Sequence, residues 1–162
     1  MNKEQKFKAG VRHYLDALDL VVTPILAKLI AYRYPLEVVG IDFEIFVDGF
    51  TQEFPVRAFF LDSDNSEFFV YVDGKAEYPS PVDPQLICIS GVYPQEFEDE
   101  FTESDDEFDA WRHATEVFIS WFSERWQSAG GAEFELRATI APHDSANEFN
   151  LKTAKWQRRY GL

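Results

Sequence analysis

The spacing of hydrophobic residues changes three times along the chain, and each spacing predicts a different kind of element. Near the N-terminus, apolar residues recur at steps of three and four, which is typical of a helix with one buried face. They are Phe7, Val11, Tyr14, Leu15, Leu18 and Val22. Thr23 and Pro24 offer an N-cap followed by proline. We therefore expect a second helix, or a bent continuation of the first, over residues 24–33, ended by Tyr34-Pro35.

After the N-terminal helices, apolar and polar residues alternate, and this period of two predicts strands. Four segments fit the pattern: 38–47, 54–61, 67–72 and 85–92. Asp48-Gly49 and Asp73-Gly74 supply turns between them. The uninterrupted apolar run at residues 86–89 predicts a central strand that is buried on both faces. Consecutive strands with short turns favour an antiparallel meander.

A helical period returns in the third quarter of the chain. Ser104 and Glu107 have the spacing of a capping box, and Gly130-Gly131 stops a helix. We predict one long helix over about residues 105–128, whose aromatic stripe packs on the sheet. The stripe consists of Phe108, Trp111, Thr115, Phe118, Phe122 and Trp126, with Trp121 beside it. Residues 133–141 then alternate as a strand with one solvent-facing side, and 149–156 form a last strand.

These elements predict a single α+β domain over residues 1–162. N-terminal helices and one long helix cover one face of a largely antiparallel sheet of five to six strands. The chain is 46% hydrophobic and 17% aromatic, which excludes the disorder that its acidity would otherwise indicate. A length of 162 residues suits one domain with a sizeable core.

Acidic residues dominate the charge, with 29 against 15 basic ones and a formal net charge of −14. No Lys or Arg occurs between Lys75 and Arg112, and residues 95–109 read QEFEDEFTESDDEFD. Such a surface repels nucleic acid and anionic lipid and attracts cations. We expect no direct nucleic-acid binding, no membrane association and a basic protein as the partner. The basic residues at 152–159 either fold back on the acidic surface or form a loose end.

Part of the acidic segment has a local explanation, because Asp105, Asp106 and Glu107 fall in the first turn of the predicted long helix. The rest forms the predicted partner-binding site: Glu96, Glu98, Asp99, Glu100, Phe101 and Glu103. Carboxylates speed association with a cationic partner, and an exposed aromatic side chain supplies the anchor that charges lack. The competing interpretation is a charged connection that only contacts water.

Other motifs give no catalytic residue, metal or cofactor. The sequence has no phosphate-binding loop, serine elbow or dinucleotide fingerprint. His113 and Glu116 share a helix face, but no cysteine or second histidine nearby completes a metal site. His143-Asp144 is expected to be a loop pair. The loop at 62–66 lacks the glycine and the glutamate of a calcium loop, so we interpret it as a turn.

The cell compartment is indicated by three features. The single cysteine, Cys88, excludes an internal disulfide and favours a reducing environment, and we place it in the core. The N-terminal residues lack the apolar core of a signal peptide. The longest apolar stretch is too short and too interrupted to span a bilayer. We expect a cytoplasmic protein.

The leading hypothesis is an acidic binding protein that inhibits or neutralises a basic protein partner. Its concrete form is an immunity protein that blocks a nuclease-type toxin, or a DNA mimic whose carboxylates stand where phosphates would bind. The alternative is a small enzyme or ligand-binding domain with an aromatic-lined pocket. A third hypothesis is a homo-oligomer formed through exposed aromatic residues.

Overall fold

The computed structural model describes residues 1–46, 49–77, 86 and 88–159. Within them, four α-helices are Lys3–Asp16 (α1), Asp19–Ala31 (α2), Gln95–Thr102 (α3) and Ala110–Ser128 (α4), and a short 3₁₀ helix spans Gly131–Glu133. The strands are Gly40–Ile45 (β1), Val56–Leu61 (β2), Val70–Val72 (β3), Lys75–Glu77 (β4), Arg137–Pro142 (β5), Asn147–Asn150 (β6) and Lys155–Arg158 (β7). No helix in this part of the chain combines the length and apolar character that crossing a membrane requires.

Five strands form one mostly antiparallel sheet in the order β2-β1-β5-β6-β7. β1 pairs antiparallel with β2 and parallel with β5, so that Ile41 lies between Phe60 and Ala138. The parallel pair is possible because a long crossover that includes α3 and α4 separates its strands. The predicted α+β fold with a largely antiparallel sheet is confirmed.

The central-strand prediction for residues 85–92 is wrong. None of its described residues lies in a strand, since Leu86 is helical and residues 88–92 form a turn and bends, and Cys88 is exposed rather than buried in the core. Their backbone groups form hydrogen bonds with the loop before β2 and not with a neighbouring strand. Phe54 N donates to Ile89 O at 2.9 Å, and Val92 N donates to Phe50 O at 2.6 Å. Residues 85 and 87 of this prediction lie outside the described chain. The parallel strand β5 takes the central place beside β1.

The strand predicted over 67–72 is shorter than expected, and it leaves the main sheet. Among the described residues, β3 pairs with β4 alone, and the turn between them contains Asp73 at φ 51° and Gly74 at φ 76°. Two positive φ angles make this a type I′ hairpin turn, as the Asp-Gly pair predicts. The Asp48-Gly49 turn falls partly outside the described residues.

The N-terminal helices break at residues 17 and 18, and not at Pro24, which lies inside α2. Asp19 fixes the start of α2 because its carboxylate accepts a hydrogen bond from Trp121 Nε1 at 2.6 Å and pairs with Arg125 at 3.3 Å. The buried side chains of α2 continue on both sides of the proline. Tertiary contacts therefore determine where the helix begins, and the local proline signal does not.

The long helix α4 begins later than the capping-box pattern predicts. Asp109 caps it by accepting a hydrogen bond from Arg112 N at 3.0 Å, and the helix ends at Ser128, before Gly130 at φ 100°. Phe118 and Phe122 face the sheet as predicted.

Trp111 was predicted on the same face, but it is 39% exposed. The small residues Ala110 and Ala114 occupy the inward row instead, and this places Trp111 at the side of the helix.

The C-terminal part differs from the prediction in two ways. β5 has no solvent-facing side, since Thr139 is 1% exposed. The single strand predicted over 149–156 is a hairpin of β6 and β7, because Asn150 Oδ1 accepts hydrogen bonds from Lys152 N and Thr153 N and closes a turn. This hairpin folds the basic tail back on the sheet up to Arg159, which excludes the loose end for these residues.

Candidate functional site

The predicted partner-binding residues lie on and just after α3, a helix with one aromatic side. Phe97 stacks on Phe7 of α1 with ring centroids 5.3 Å apart. Gly10 makes this contact possible, because a Cβ atom there would lie 2.5 Å from the Phe97 ring. The ring also packs against Tyr14 and Tyr93. The aromatic contacts therefore hold α3 against α1 and turn its acidic side outward.

The acidic side chains divide into two groups. Glu96, Glu100 and Glu103 are exposed and form no ion pair with any residue that the structure describes. Glu98 is half-buried and accepts a hydrogen bond from the Tyr93 hydroxyl at 2.8 Å. Asp99 accepts one from Gln95 Nε2 at 2.9 Å. Three of the five predicted carboxylates are thus free to meet a partner, and two already have bonds within the protein.

Phe101, the predicted anchor, packs inside the aromatic cluster. Its ring lies 5.0 Å from Phe7 and 5.9 Å from Phe108 between centroids, and the side chain is half-buried. In this position Phe101 contributes to the fold that supports α3. The first measurable effect of truncating it is therefore expected on stability.

Cations of α1 neutralise the acidic groups of α4 and of the turn before it. Lys8 Nζ lies 2.6 Å from Glu116, and Arg12 makes two hydrogen bonds to Glu124. Lys3 bonds Asp105 at 2.9 Å and holds the pKa of that carboxyl below its ordinary value. No cation of the described chain pairs with Glu96, Glu100 or Glu103, so their negative charge remains available.

An open apolar groove of about 310 Å³ lies between α4 and the C-terminal strands. Its walls include Trp111, Ile119, Pro142 and Trp156, and Asp109 from the end of the acidic segment also lines it. Trp156 is 54% exposed. Sequence reasoning missed this groove because it placed Trp111 against the sheet and left open how residues 152–159 pack.

A small polar pocket of about 170 Å³ lies on the sheet and includes two acidic residues of β1. Asp42 accepts a hydrogen bond from the Thr139 hydroxyl at 3.0 Å. Arg159 lies 2.7 Å from Glu44 and 4.0 Å from Asp42. Burial raises the pKa of Asp42 to about 7, although Arg159 opposes the shift. The alternating pattern of β1 contains no sign of Arg159, the residue of the distant tail that lies over these two carboxylates.

The predicted loop pair His143-Asp144 lies beside this pocket. His143 Nδ1 is 3.0 Å from Glu44, and its ring stacks on Phe46 at 4.7 Å between centroids. Asp144 is a further 3.6 Å contact of His143. The loop at 62–66 is a turn, as predicted, with Asp62 Oδ1 accepting hydrogen bonds from the backbone of Asp64 and Ser66.

An aromatic cavity of about 430 Å³ is lined by Tyr32, Tyr34 and Phe134 together with Leu36 and Leu136. Its volume is in the range of small-molecule sites. Asp42, the carboxyl with a pKa near 7, does not line it. The aromatic cavity and the carboxyl with the raised pKa therefore lie in different places.

The structure adds one residue to the pair His113 and Glu116. Glu4 of α1 meets them, and the potential ligand atoms of the three side chains all lie within 4.8 Å of one another. Sequence reasoning missed Glu4 because it is far from α4 along the chain. The charged groups connect α1 to α4.

The fold and these surfaces define the chain as an acidic α+β protein with an aromatic core. No known protein family, curated protein or solved structure matches it.

Proposed function

We propose that this protein binds and neutralises a basic protein partner through the acidic side of α3. The proposal rests on the difference between Glu96, Glu100 and Glu103 and the acidic residues of α4. The former three are exposed and lack ion pairs within the described chain, whereas cations of α1 neutralise Glu116 and Glu124. Charge that is uncompensated in the free protein is available to a partner.

Because α3 is packed against α1, its charged side chains are held in place before a partner binds. Glu96 and Glu100 are four residues apart, so they are neighbours on one helix face, about 5–6 Å apart between Cβ atoms. Phe97 fixes the helix to α1 on its other side. A surface that is already ordered costs less entropy to bind, and concentrated charge raises association rates toward about 10⁸–10⁹ M⁻¹s⁻¹.

The groove lined by Trp111 and Trp156 supplies the apolar contact that Phe101 was expected to make. Large exposed aromatic side chains act as anchors at interfaces, and charged rims mainly affect the rate of encounter. Asp109 belongs to the acidic segment and also lines the groove. A basic partner with one apolar side chain near its cationic surface fits both features.

The concrete form of the proposal is an inhibitor of a protein that handles nucleic acid in the cytoplasm, such as a nuclease-type toxin. The active site of such a protein is cationic because it binds phosphates. An immunity protein, or a DNA mimic, occupies that site with carboxylates. Inhibition follows from competition for the same cationic groups.

Capture from a lysate of the native host tests the proposal. The bait is the tagged wild-type chain, and the test variant is Glu96→Gln, Glu100→Gln, Glu103→Gln. A matched control removes three exposed carboxylates elsewhere, by Glu37→Gln, Glu133→Gln and Glu135→Gln. We expect a basic protein on the wild-type and control baits and its loss from the test variant.

The captured partner is then assayed for nucleic-acid binding or cleavage. We expect the wild-type chain to inhibit this activity stoichiometrically and the α3 variant to inhibit it weakly. Equal capture and equal inhibition by both variants would show that α3 is not the binding surface.

The aromatic cavity favours a second candidate function, the binding of a small apolar ligand. Tyr32, Tyr34 and Phe134 offer ring faces to such a ligand. A thermal-shift screen on the wild-type chain and on Phe134→Leu tests it. A ligand that stabilises the wild type and not the variant would support this candidate, and a screen without such a ligand would count against it.

A further inference from the structure

The N-terminal ends of α1 and α4 bring together Glu4, His113 and Glu116, and one atom in this group lacks a partner. The His113 side chain is 6% exposed, and its Nδ1 atom is buried with no hydrogen-bond partner in the described chain. The nearest carboxylate oxygen, Glu4 Oε1, lies 3.7 Å away, which is too long for a hydrogen bond. A buried nitrogen without a partner is costly, and a ring nitrogen of His113 lies within 4.8 Å of a carboxylate oxygen of Glu4 and of Glu116.

A cation already bridges these carboxylates. Lys8 Nζ lies 2.8 Å from Glu4 and 2.6 Å from Glu116. The ammonium group lies within hydrogen-bond distance of both carboxylates. It cannot accept a hydrogen bond from the imidazole, because an ammonium group has no acceptor atom. The two carboxylates thus share one cation, whereas His113 Nδ1 has no hydrogen-bond partner in the described chain.

We propose that Glu4, His113 and Glu116 form a binding site for a divalent transition-metal ion of the zinc class, which displaces the Lys8 ammonium. One imidazole nitrogen and two carboxylates are ordinary zinc ligands, and a water molecule completes the tetrahedron. The nitrogen ligand selects against Mg²⁺ and Ca²⁺, which prefer oxygen.

The geometry allows this exchange with small movements. In a tetrahedral zinc site with bonds of about 2.1 Å, two ligand atoms lie about 3.4 Å apart. The present ligand atoms lie within 4.8 Å of one another, so a pair of them needs to approach by at most about 1.4 Å. Glu4 and Glu116 are about half exposed, at 47% and 50%, and their side chains are free to adjust. Lys8 has a long flexible chain that reaches water.

The bound ion joins α1 to α4, and α1 is the helix against which α3 packs. Metal binding therefore stabilises the folded chain by mass action. This inference is independent of the proposed function, since it requires no partner protein.

Calorimetric titration with ZnCl₂ tests the site in chelator-treated protein. The protein carries Cys88→Ser, because the exposed thiol would be a competing zinc ligand. We expect one ion per chain and a rise in melting temperature of about 5 °C or more when zinc exceeds its Kd about 100-fold. Mg²⁺ and Ca²⁺ should give neither. Cobalt(II) in the same site should show the absorption of a tetrahedral complex.

Variants of the site separate binding from folding. Glu116→Gln changes an exposed side chain and should weaken zinc binding at least tenfold, and His113→Ala should abolish the cobalt spectrum. Lys8→Met should strengthen zinc binding several-fold, because it removes the competing ammonium. Glu96→Gln with Glu100→Gln removes two carboxylates of α3 and should change nothing. Zinc affinity that is indifferent to Glu116→Gln, or that falls in Lys8→Met, would overturn the proposal.

Discussion

At the scale of single residues, Asp42 gives the clearest pH dependence. Its pKa rises from an ordinary value of 3.8 to about 7 in the folded protein because the carboxyl is buried. Between about pH 4 and pH 7 the folded form holds a proton that the unfolded form has lost. The contribution of Asp42 to stability therefore falls as pH rises through this window, and above pH 7 its full destabilising effect is present.

We expect Asp42→Asn to remove this dependence. The amide keeps a hydrogen-bond acceptor for Thr139, and Arg159 keeps its contact with Glu44. At pH 8 the variant should be more stable than the wild type, by at most about 4 kcal/mol. The difference should shrink toward pH 4. Urea unfolding between pH 4 and 8 measures it, with the exposed Glu135→Gln as control, and parallel profiles for wild type and variant would contradict this account.

Gly10 tests the contact that positions α3. Alanine is favoured over glycine in a helix by about 1 kcal/mol, but here its Cβ would lie 2.5 Å from the Phe97 ring. We expect Gly10→Ala to destabilise the protein by about 1–3 kcal/mol. In a Phe97→Ala background the clash is absent, so the same change should become neutral or stabilising. A double-mutant cycle by chemical denaturation measures this coupling, and strictly additive effects would count against the contact.

Individual residues also show where sequence reasoning reached its limit. Periodicity placed Phe118 and Phe122 correctly on the inner face of α4. It failed at Trp111 because size was taken as a sign of burial, and the small Ala110 and Ala114 occupy the inward row. It gave no sign of the burial of Asp42, because the strand pattern contains no information about which residues cover that face.

At the scale of elements, α3 and the aromatic cluster behave as one unit, and Phe101 reports on it. The side chain is half-buried against Phe7, Phe97 and Phe108. We expect Phe101→Ala to lower the free energy of unfolding by about 2–4 kcal/mol, somewhat less than full burial would give. Leu36→Ala, at a site that is 98% exposed, should change it by less than about 0.5 kcal/mol. A Phe101→Ala variant as stable as the wild type would show that the ring does not support α3.

Local signals predicted the elements that depend on local chemistry. The Asp-Gly turn between β3 and β4 and the glycine stop after α4 are in place. The errors arise where distant contacts decide. Residues 88–92 bond to the loop before β2, and Asp19 begins α2 by bonding to Trp121. Neither partner can be identified from a short window of sequence.

The candidate site was predicted in part for the same reason. Composition alone located the acidic segment. Which carboxylates are free depends on Tyr93 and on the cations of α1, and these lie outside the segment. The groove at Trp111 and the contact of Glu4 with His113 join distant parts of the chain, so sequence spacing contains no sign of them.

At the scale of the whole molecule, the net charge of −14 opposes binding to nucleic acid. Of the basic residues of the tail, Arg159 pairs with Glu44, and the others are too few to offset the acidic residues. We expect no gel shift of duplex DNA or RNA at micromolar protein and about 150 mM salt. Submicromolar binding under these conditions would contradict the charge argument.

The central claim is that α3 steers a basic partner onto the protein. The most direct measurement is the association rate constant of the captured partner over a salt series, for the wild type, for Glu96→Gln, Glu100→Gln, Glu103→Gln, and for the matched control at residues 37, 133 and 135. The account predicts that the α3 variant associates several-fold more slowly at low salt and with a flatter salt dependence, while its dissociation rate stays close to that of the wild type. Association that is as fast and as salt-dependent in the α3 variant as in the wild type would contradict it.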